Sequence, residues 1–153
     1  MIVVSDTSPL TALLKLVEAE LLPKLFQEVI IPEAVRHELL RNHFPLPLWL
    51  RVAGVKDTAQ SEKYSQLVDA GEAEAIELAR ELQADRLLID ERKGRRLAIQ
   101  EGVPVIGLLG VVLLARRKQF IPSARALIER LQAEASMYLA AEVKEAALNS
   151  VGE

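Results

Sequence analysis

Met1-Ile2-Val3-Val4-Ser5-Asp6-Thr7-Ser8-Pro9 decides how the rest of the chain is read. Three apolar residues, Ile2, Val3 and Val4, all β-branched, run through Ser5 into an acid and then into a helix-start signal. An apolar run this short, bounded by turn chemistry, reads as a buried strand of a parallel sheet. Ser8 is suited to cap the next helix, and Pro9 to its first position, where no amide hydrogen is needed. Asp6 then stands at the carboxyl end of the strand. In open α/β sheets that end is where ligands bind.

Working outward, Leu10, Leu13, Leu14 and Val17 form a helical stripe, and 20–26 a second short helix. Val29-Ile30-Ile31 is a second buried strand, and Pro32 opens a helix over 33–41. The prolines of Phe44-Pro45-Leu46-Pro47-Leu48 rule out a regular helix there and lead into an edge strand within 49–55. Residues 58–70 are polar with a weak stripe of Tyr64, Leu67 and Val68. Gly71 marks a break before a strong helix over 72–83. Leu87-Leu88-Ile89 is another buried strand, ending at Asp90, followed by a helix over 91–100 that stops at Gly102. A last strand spans 103–106, and helices over 108–118, 123–134 and 138–149 complete the chain. Strands alternating with helices predict an α/β fold with a parallel sheet covered on both faces. The chain, 1–153, reads as one domain, with about 108–153 as a helical extension that packs on the sheet or on a second subunit.

The 153 residues are half hydrophobic and 27% charged, which excludes disorder by composition. No cysteine is present, so disulfides and thiolate zinc sites are excluded and a reducing cytoplasm is expected. No secretory signal is visible. The longest apolar run, 105–115, is well short of the ~20 residues of a membrane helix, so no membrane association is expected. A net charge of −3 argues against a generally basic nucleic-acid binder but leaves room for a local basic patch.

Four acids face the wrong way for solvated charges. On the helix after Gly71, Glu74, Glu77 and Glu81 share one face, the expected solvent face. Glu72 instead lines up with Ala75, Ile76, Ala79 and Leu82 on the apolar stripe. Glu38 lines up with Ala34, Val35 and Leu39. Asp90 repeats the position of Asp6 at a strand end. Each has a structural role open to it: Asp6 an Asx turn, Asp90 a cap on the helix that follows, Glu72 a helix N-terminal acid, Glu38 a partner for Arg36 or Arg41. Crowded in one crevice, such carboxylates need a proton or a cation. Oxygen-only ligands suit Mg²⁺ or Mn²⁺, which supports phosphoryl-transfer chemistry.

Asp6-Thr7-Ser8 after an apolar strand, Val29-Ile30-Ile31-Pro32 with Glu38-Leu39-Leu40, Gly71-Glu72 with its Ala-rich helix, and Leu87-Leu88-Ile89-Asp90 together resemble PIN-domain ribonucleases. With the basic run after Asp90, the Gly107 to Gly110 helix and Gly152-Glu153, the pattern is most similar to a PIN-like group related to VapC-type toxins. The resemblance covers essentially the whole chain. It implies a five-stranded parallel sheet and a Mg²⁺- or Mn²⁺-dependent endoribonuclease. It carries Asp6, Glu38, Glu72 and Asp90 over as catalytic, metal-binding acids, with Ser8 steadying the first. It also implies a homodimer and, for a toxin, a small antitoxin partner. The chain departs from the pattern after Asp90. A Thr often stands two residues before that acid, where this chain has Leu88, and a further Asp follows it, where this chain has Glu91, Arg92 and Lys93. The final acid is therefore Glu91 or is missing.

Arg92, Lys93, Arg95 and Arg96 would bring positive charge beside the crevice and attract an RNA backbone; otherwise they form a solvated helix face. Arg116, Arg117 and Lys118 suit a helix C-terminus. His37 and His43 are not spaced as a metal pair. Trp49, Tyr64 and Tyr138 have rings that could stack on bases, but three scattered aromatics more often belong to a core or interface, and no role is assigned to them. The alternative function is a degenerate PIN-like module that binds RNA or protein without cleaving. A haloacid-dehalogenase-type phosphatase ranks low, because it needs an Asp where Ser8 stands.

Overall fold

The computed structural model describes residues 1–153. Five strands, β1 (Ile2–Ser5), β2 (Glu28–Ile31), β3 (Leu50–Val52), β4 (Arg86–Leu88) and β5 (Val105–Ile106), form one sheet. Their order is β3-β2-β1-β4-β5, and every pairing is parallel. β1 lies at the centre because its two neighbours cover both of its edges; Val3 and Val4 are fully buried. The two edge strands are short, as unpaired edges tend to be.

Nine helices cover the sheet: α1 (Thr7–Lys15), α2 (Leu21–Leu25), α3 (Glu33–Arg41), α4 (Thr58–Ser65), α5 (Ala70–Leu82), α6 (Arg92–Gln100), α7 (Leu108–Arg117), α8 (Ala124–Glu134) and α9 (Ala141–Ser150). Alternate strand residues feed two cores, as the two-residue period of a strand requires. Val3, Val29, Ile31 and Leu88 meet α1, α2, α3, α7, α8 and Leu148 of α9. Val4, Ile30, Leu87 and Ile89 meet Tyr64 of α4, the apolar stripe of α5, and Leu97 and Ala98 of α6. The three final helices therefore pack on the sheet through the first core. No helix is long and apolar enough to cross a membrane.

Three local expectations change. Helix α1 starts at Thr7, so Asp6, not Ser8, holds the cap position, and it makes no side-chain cap bond. The cause is the sheet: the Asp6 amide donates to the Leu88 carbonyl at 2.9 Å, which keeps Asp6 extended and releases the helix immediately after it. Gly71 is not a break but lies inside the first turn of α5.

The third change concerns the glutamates expected in solvent. Glu77 is fully buried. Arg80 grips both its carboxylate oxygens, Nε to Oε1 at 2.8 Å and Nη2 to Oε2 at 2.9 Å. Glu74 accepts from the Ala34 amide at the start of α3. Glu81 accepts from the amides of Lys56 and Asp57. The polar face of α5 is thus stapled to its neighbours, because α4 and the 53–57 connection lie over it rather than water.

Candidate active site at the strand ends

The chain leaves β1 into α1, which packs on the first core, and leaves β4 into α6, which packs on the second. Adjacent strands whose connections depart to opposite faces open a crevice between them at their carboxyl ends. Asp6 and Asp90 stand at the two lips of that crevice. Ser5 is in register with Leu88, so Asp6 and Asp90 follow paired strand residues closely.

Asp6 is only 6% exposed, and burial pushes its carboxyl up to about 7. The negative charges of Asp69, Glu38 and Asp90 push the same way, while the Thr7 amide opposes them. Glu72 is 5% exposed and is also raised, first by burial and then by Asp69 and Asp6, against the relief it receives from the Asp69 amide. No arginine, lysine or histidine is ion-paired with Asp6, Glu38, Asp69, Glu72 or Asp90. Acids buried without a cation hold protons more tightly.

Asp69 is the residue that the sequence reading missed. It caps α5 in a reciprocal box: its Oδ1 accepts from the Glu72 amide at 2.8 Å, and Glu72 Oε2 accepts from the Asp69 amide at 3.1 Å. Each carboxylate keeps one oxygen outside the box. Asp6, Ser8, Asp69, Glu72, Glu91 and Lys93 line one open cleft of about 450 Å³. The signal was present as Asp69-Ala70-Gly71-Glu72, an acid followed three residues later by Glu, which is a capping-box spacing.

Glu38 is half-buried on α3 and pairs with neither Arg36 nor Arg41; Arg36 bonds Glu33 instead. Its Oε1 lies 2.6 Å from where a Cβ on Gly71 would stand, and Asp69 Oδ1 lies 3.6 Å from the same point. The missing side chain of Gly71 is what lets Glu38 reach the start of α5.

Asp90 is exposed as a residue, yet its carboxylate turns onto a helix start. The helix is α7 rather than the α6 expected for a cap, with the Leu108 amide donating to Oδ1 at 2.9 Å. Burial raises its carboxyl, and that amide and Arg95 oppose the rise. Gly107 leaves the room, since a Cβ there would stand 2.8 Å from Asp90 Oδ1. Glu91 takes the cap of α6 and accepts from the Lys93 amide at 3.3 Å. Ser8 lines the cleft but makes no hydrogen bond to Asp6; its carbonyl accepts from Thr11. Two buried hydroxyls flank Asp6 instead: Ser5 Oγ donates to the Asp6 carbonyl at 2.8 Å, and Thr7 Oγ1 has no hydrogen-bond partner.

The four basic residues of α6 divide. Arg95 donates from Nη1 to the Ile89 carbonyl at 2.9 Å and braces the end of β4. Arg92, Lys93 and Arg96 are exposed and form no ion pair, although eight arginine or lysine pairs with glutamate exist elsewhere on this net-acidic chain. Lys93 faces the acid cleft, and Arg92 and Arg96 line the groove on the other side of Asp90.

The donor set is oxygen alone, which suits a hard divalent cation. Asp6 and Glu72 are buried without a compensating charge, and Asp69 and Glu72 each keep an oxygen outside the box. As the side chains stand, no three acids or histidines converge on one point. The residues present thus fit such an ion by chemistry, with side-chain closure needed to gather them.

No curated protein matches the chain by sequence. The family model DUF3368, described as a PIN domain, matches residues 2–153. That match takes in nearly every residue, including the five parallel strands and the acids at their ends, and the chain belongs to the PIN-domain family.

Proposed function

We propose that this chain is a Mg²⁺- or Mn²⁺-dependent endoribonuclease that hydrolyses RNA phosphodiester bonds. PIN domains are generally nucleases, and membership supports a hydrolase at that coarse level. The observation that carries the finer reading is the burial of Asp6 and Glu72 side by side in one cleft, both raised in pKa and neither paired with a cation.

Asp6, Asp69 and Glu72 would hold the ion, with Glu38 reaching in beside Gly71. An ion bound there lowers the pKa of a water and offsets charge building on the phosphate. Burial of Asp6 in a low-dielectric pocket strengthens its pull on any cation. The capping box fixes the backbone from which Asp69 and Glu72 project, so their free oxygens would reach the ion by side-chain rotation alone. Lys93 attracts the RNA phosphate to the cleft, and Arg92 and Arg96 hold the strand beyond it. Arg95 acts on the protein, keeping Asp90 and the start of α7 together.

Cleavage of a mixed RNA pool with Mn²⁺ tests the proposal. Wild type should cut and stop on chelation, and Asp6→Asn should lose at least a hundredfold. Metal-independent cutting, or an unaffected Asp6→Asn, overturns it.

A second reading has its own observation in favour. Asp90 and Glu91, the acids nearest the expected last position, are both engaged as helix caps. A degenerate PIN module would bind RNA or protein without cutting, and the same assay separates the two. A toxin of a type II pair, held by a small antitoxin, is the cellular form of the first reading. Growth arrest on expression, absent with Asp6→Asn, tests it. A homodimer is tested by light scattering.

A further inference from the structure

On the far side of Ser8 and Asp90 from the acid cleft lies a second cavity, about 330 Å³, between α1, the start of α7 and the connection joining α8 to α9. Its walls are mainly apolar, from Ala12, Leu108, Leu109, Met137 and Leu139, with Ser8, Asp90 and Ser136 as the polar part. Ser8 lines both this slot and the acid cleft, so whatever fills the slot lies next to whatever is bound at the acids. Tyr138 stands at the same slot and is 89% exposed, a large aromatic ring left in water. The slot shares Asp90 and Leu139 with the adjoining groove that carries Arg92, Arg95 and Arg96. An apolar slot, an uncovered ring and guanidinium groups at its edge match the parts of one nucleotide. The base has flat apolar faces, and the phosphate is anionic. The volume falls at the lower end of cavities that take small ligands.

We infer that this slot receives one unpaired nucleobase flanking the phosphate at the acids, stacked against Tyr138, with the neighbouring phosphate on Arg92 and Arg96. The inference rests on the ribonuclease reading and deepens it. The strand entering the acid cleft must be single-stranded there, because a paired base cannot enter the slot. A peptide partner with apolar and acidic side chains is the competing occupant. The exposed ring and the shared Ser8 favour the nucleotide.

Binding is measured by fluorescence anisotropy in the Asp6→Asn background, so that cleavage does not intrude. One probe is a six-nucleotide single-stranded RNA, and the other a base-free sugar-phosphate chain of equal length. Ala12→Phe fills the slot from its α1 wall. Tyr138→Ala removes an exposed ring and cannot unfold the chain through lost packing. Each should weaken the RNA about tenfold, the scale of one stacked base. Each should leave the base-free chain within twofold. Equal losses on both probes, or RNA affinity unchanged by both variants, overturns the base assignment, the second result pointing to a protein occupant. Failure of the Asp6→Asn parent to bind RNA at all overturns the ribonuclease reading and the slot with it.

Discussion

Glu38 Oε1 occupies the space that the side chain of Gly71 would fill, 2.6 Å from the position of its absent Cβ. Two residues from different helices thus compete for one volume, and the glycine yields it. The atom in the way is the far end of a flexible side chain, so displacing it is cheap. Gly71→Ala also gains helix propensity inside α5, up to ~1 kcal/mol. The expected outcome is a melting temperature equal to or above wild type, with RNA cleavage reduced at least tenfold because Glu38 is pushed aside. Thermal melts and cleavage rates on the same preparations check it. Full activity would remove Glu38 from the site.

Asp69 has two roles that substitution can separate. Asparagine caps a helix nearly as well as aspartate but carries no charge. Asp69→Asn should therefore melt close to wild type, whereas Asp69→Ala should lose ~1 kcal/mol with the cap. If Asp69 helps hold the ion, both variants lose cleavage to a similar extent, and both require a higher Mn²⁺ concentration for half-maximal rate. A metal titration of the three proteins, alongside denaturant melts, gives the answer. An Asn variant with wild-type Mn²⁺ dependence would leave Asp69 a cap only.

The limits of the sequence are physical and can be named residue by residue. Glu72 was readable because burial follows helical period, and its place on the stripe of Ala75, Ile76 and Ala79 marks it as inward. The strand ends at Asp6 and Asp90 were readable because apolar runs stop there. The membership of Asp69 was hidden in a polar stretch that showed little period. Period also tells which face of α5 turns from the sheet, but not that α4 covers it, so Glu77 looked solvated and is buried. The bond from Leu108 to Asp90 joins residues 18 apart across two elements, which no local rule anticipates. At Asp6, two good capping residues stood close together. The choice between them was made by a sheet bond to Leu88, a partner far along the chain.

Asp6 should cost stability when it is ionised. Its pKa rises from 3.8 to about 7 on folding, so the folded chain holds the proton more tightly than the unfolded one. Below about pH 4 both states are protonated and no penalty exists. The penalty grows as pH rises and is complete above pH 7, at most about 4 kcal/mol. Asp6→Asn removes the charge. In chelator at pH 8 the variant should be more stable than wild type, and the gap should shrink steadily toward pH 5. Urea melts at the two pH values check the sign. A variant less stable than wild type at pH 8 would mean that Asp6 is compensated in the fold after all.

Glu153 behaves in the opposite sense. Its side chain accepts from the Ala124 amide at 2.7 Å, the Ser123 hydroxyl at 2.8 Å, the Arg125 amide at 3.2 Å and Arg116 Nε at 3.1 Å. The amides are the first of α8, where the helix favours negative charge. These bonds, the Ala124 amide foremost, hold the Glu153 carboxyl down at about 2. A depressed pKa stabilises the fold above the unfolded value near 4.5, and that contribution is lost as pH falls toward 2. Glu153→Gln should therefore melt below wild type at pH 6. The two curves should converge between pH 4.5 and pH 2, because wild type loses the charge that the variant never had. Arg116 joins the same carboxylate from α7, so Arg116→Gln should reproduce part of the pH 6 deficit, and adding it to Glu153→Gln should cost less than the sum of the two. Strict additivity would mean that the arginine and the glutamate act on the fold separately.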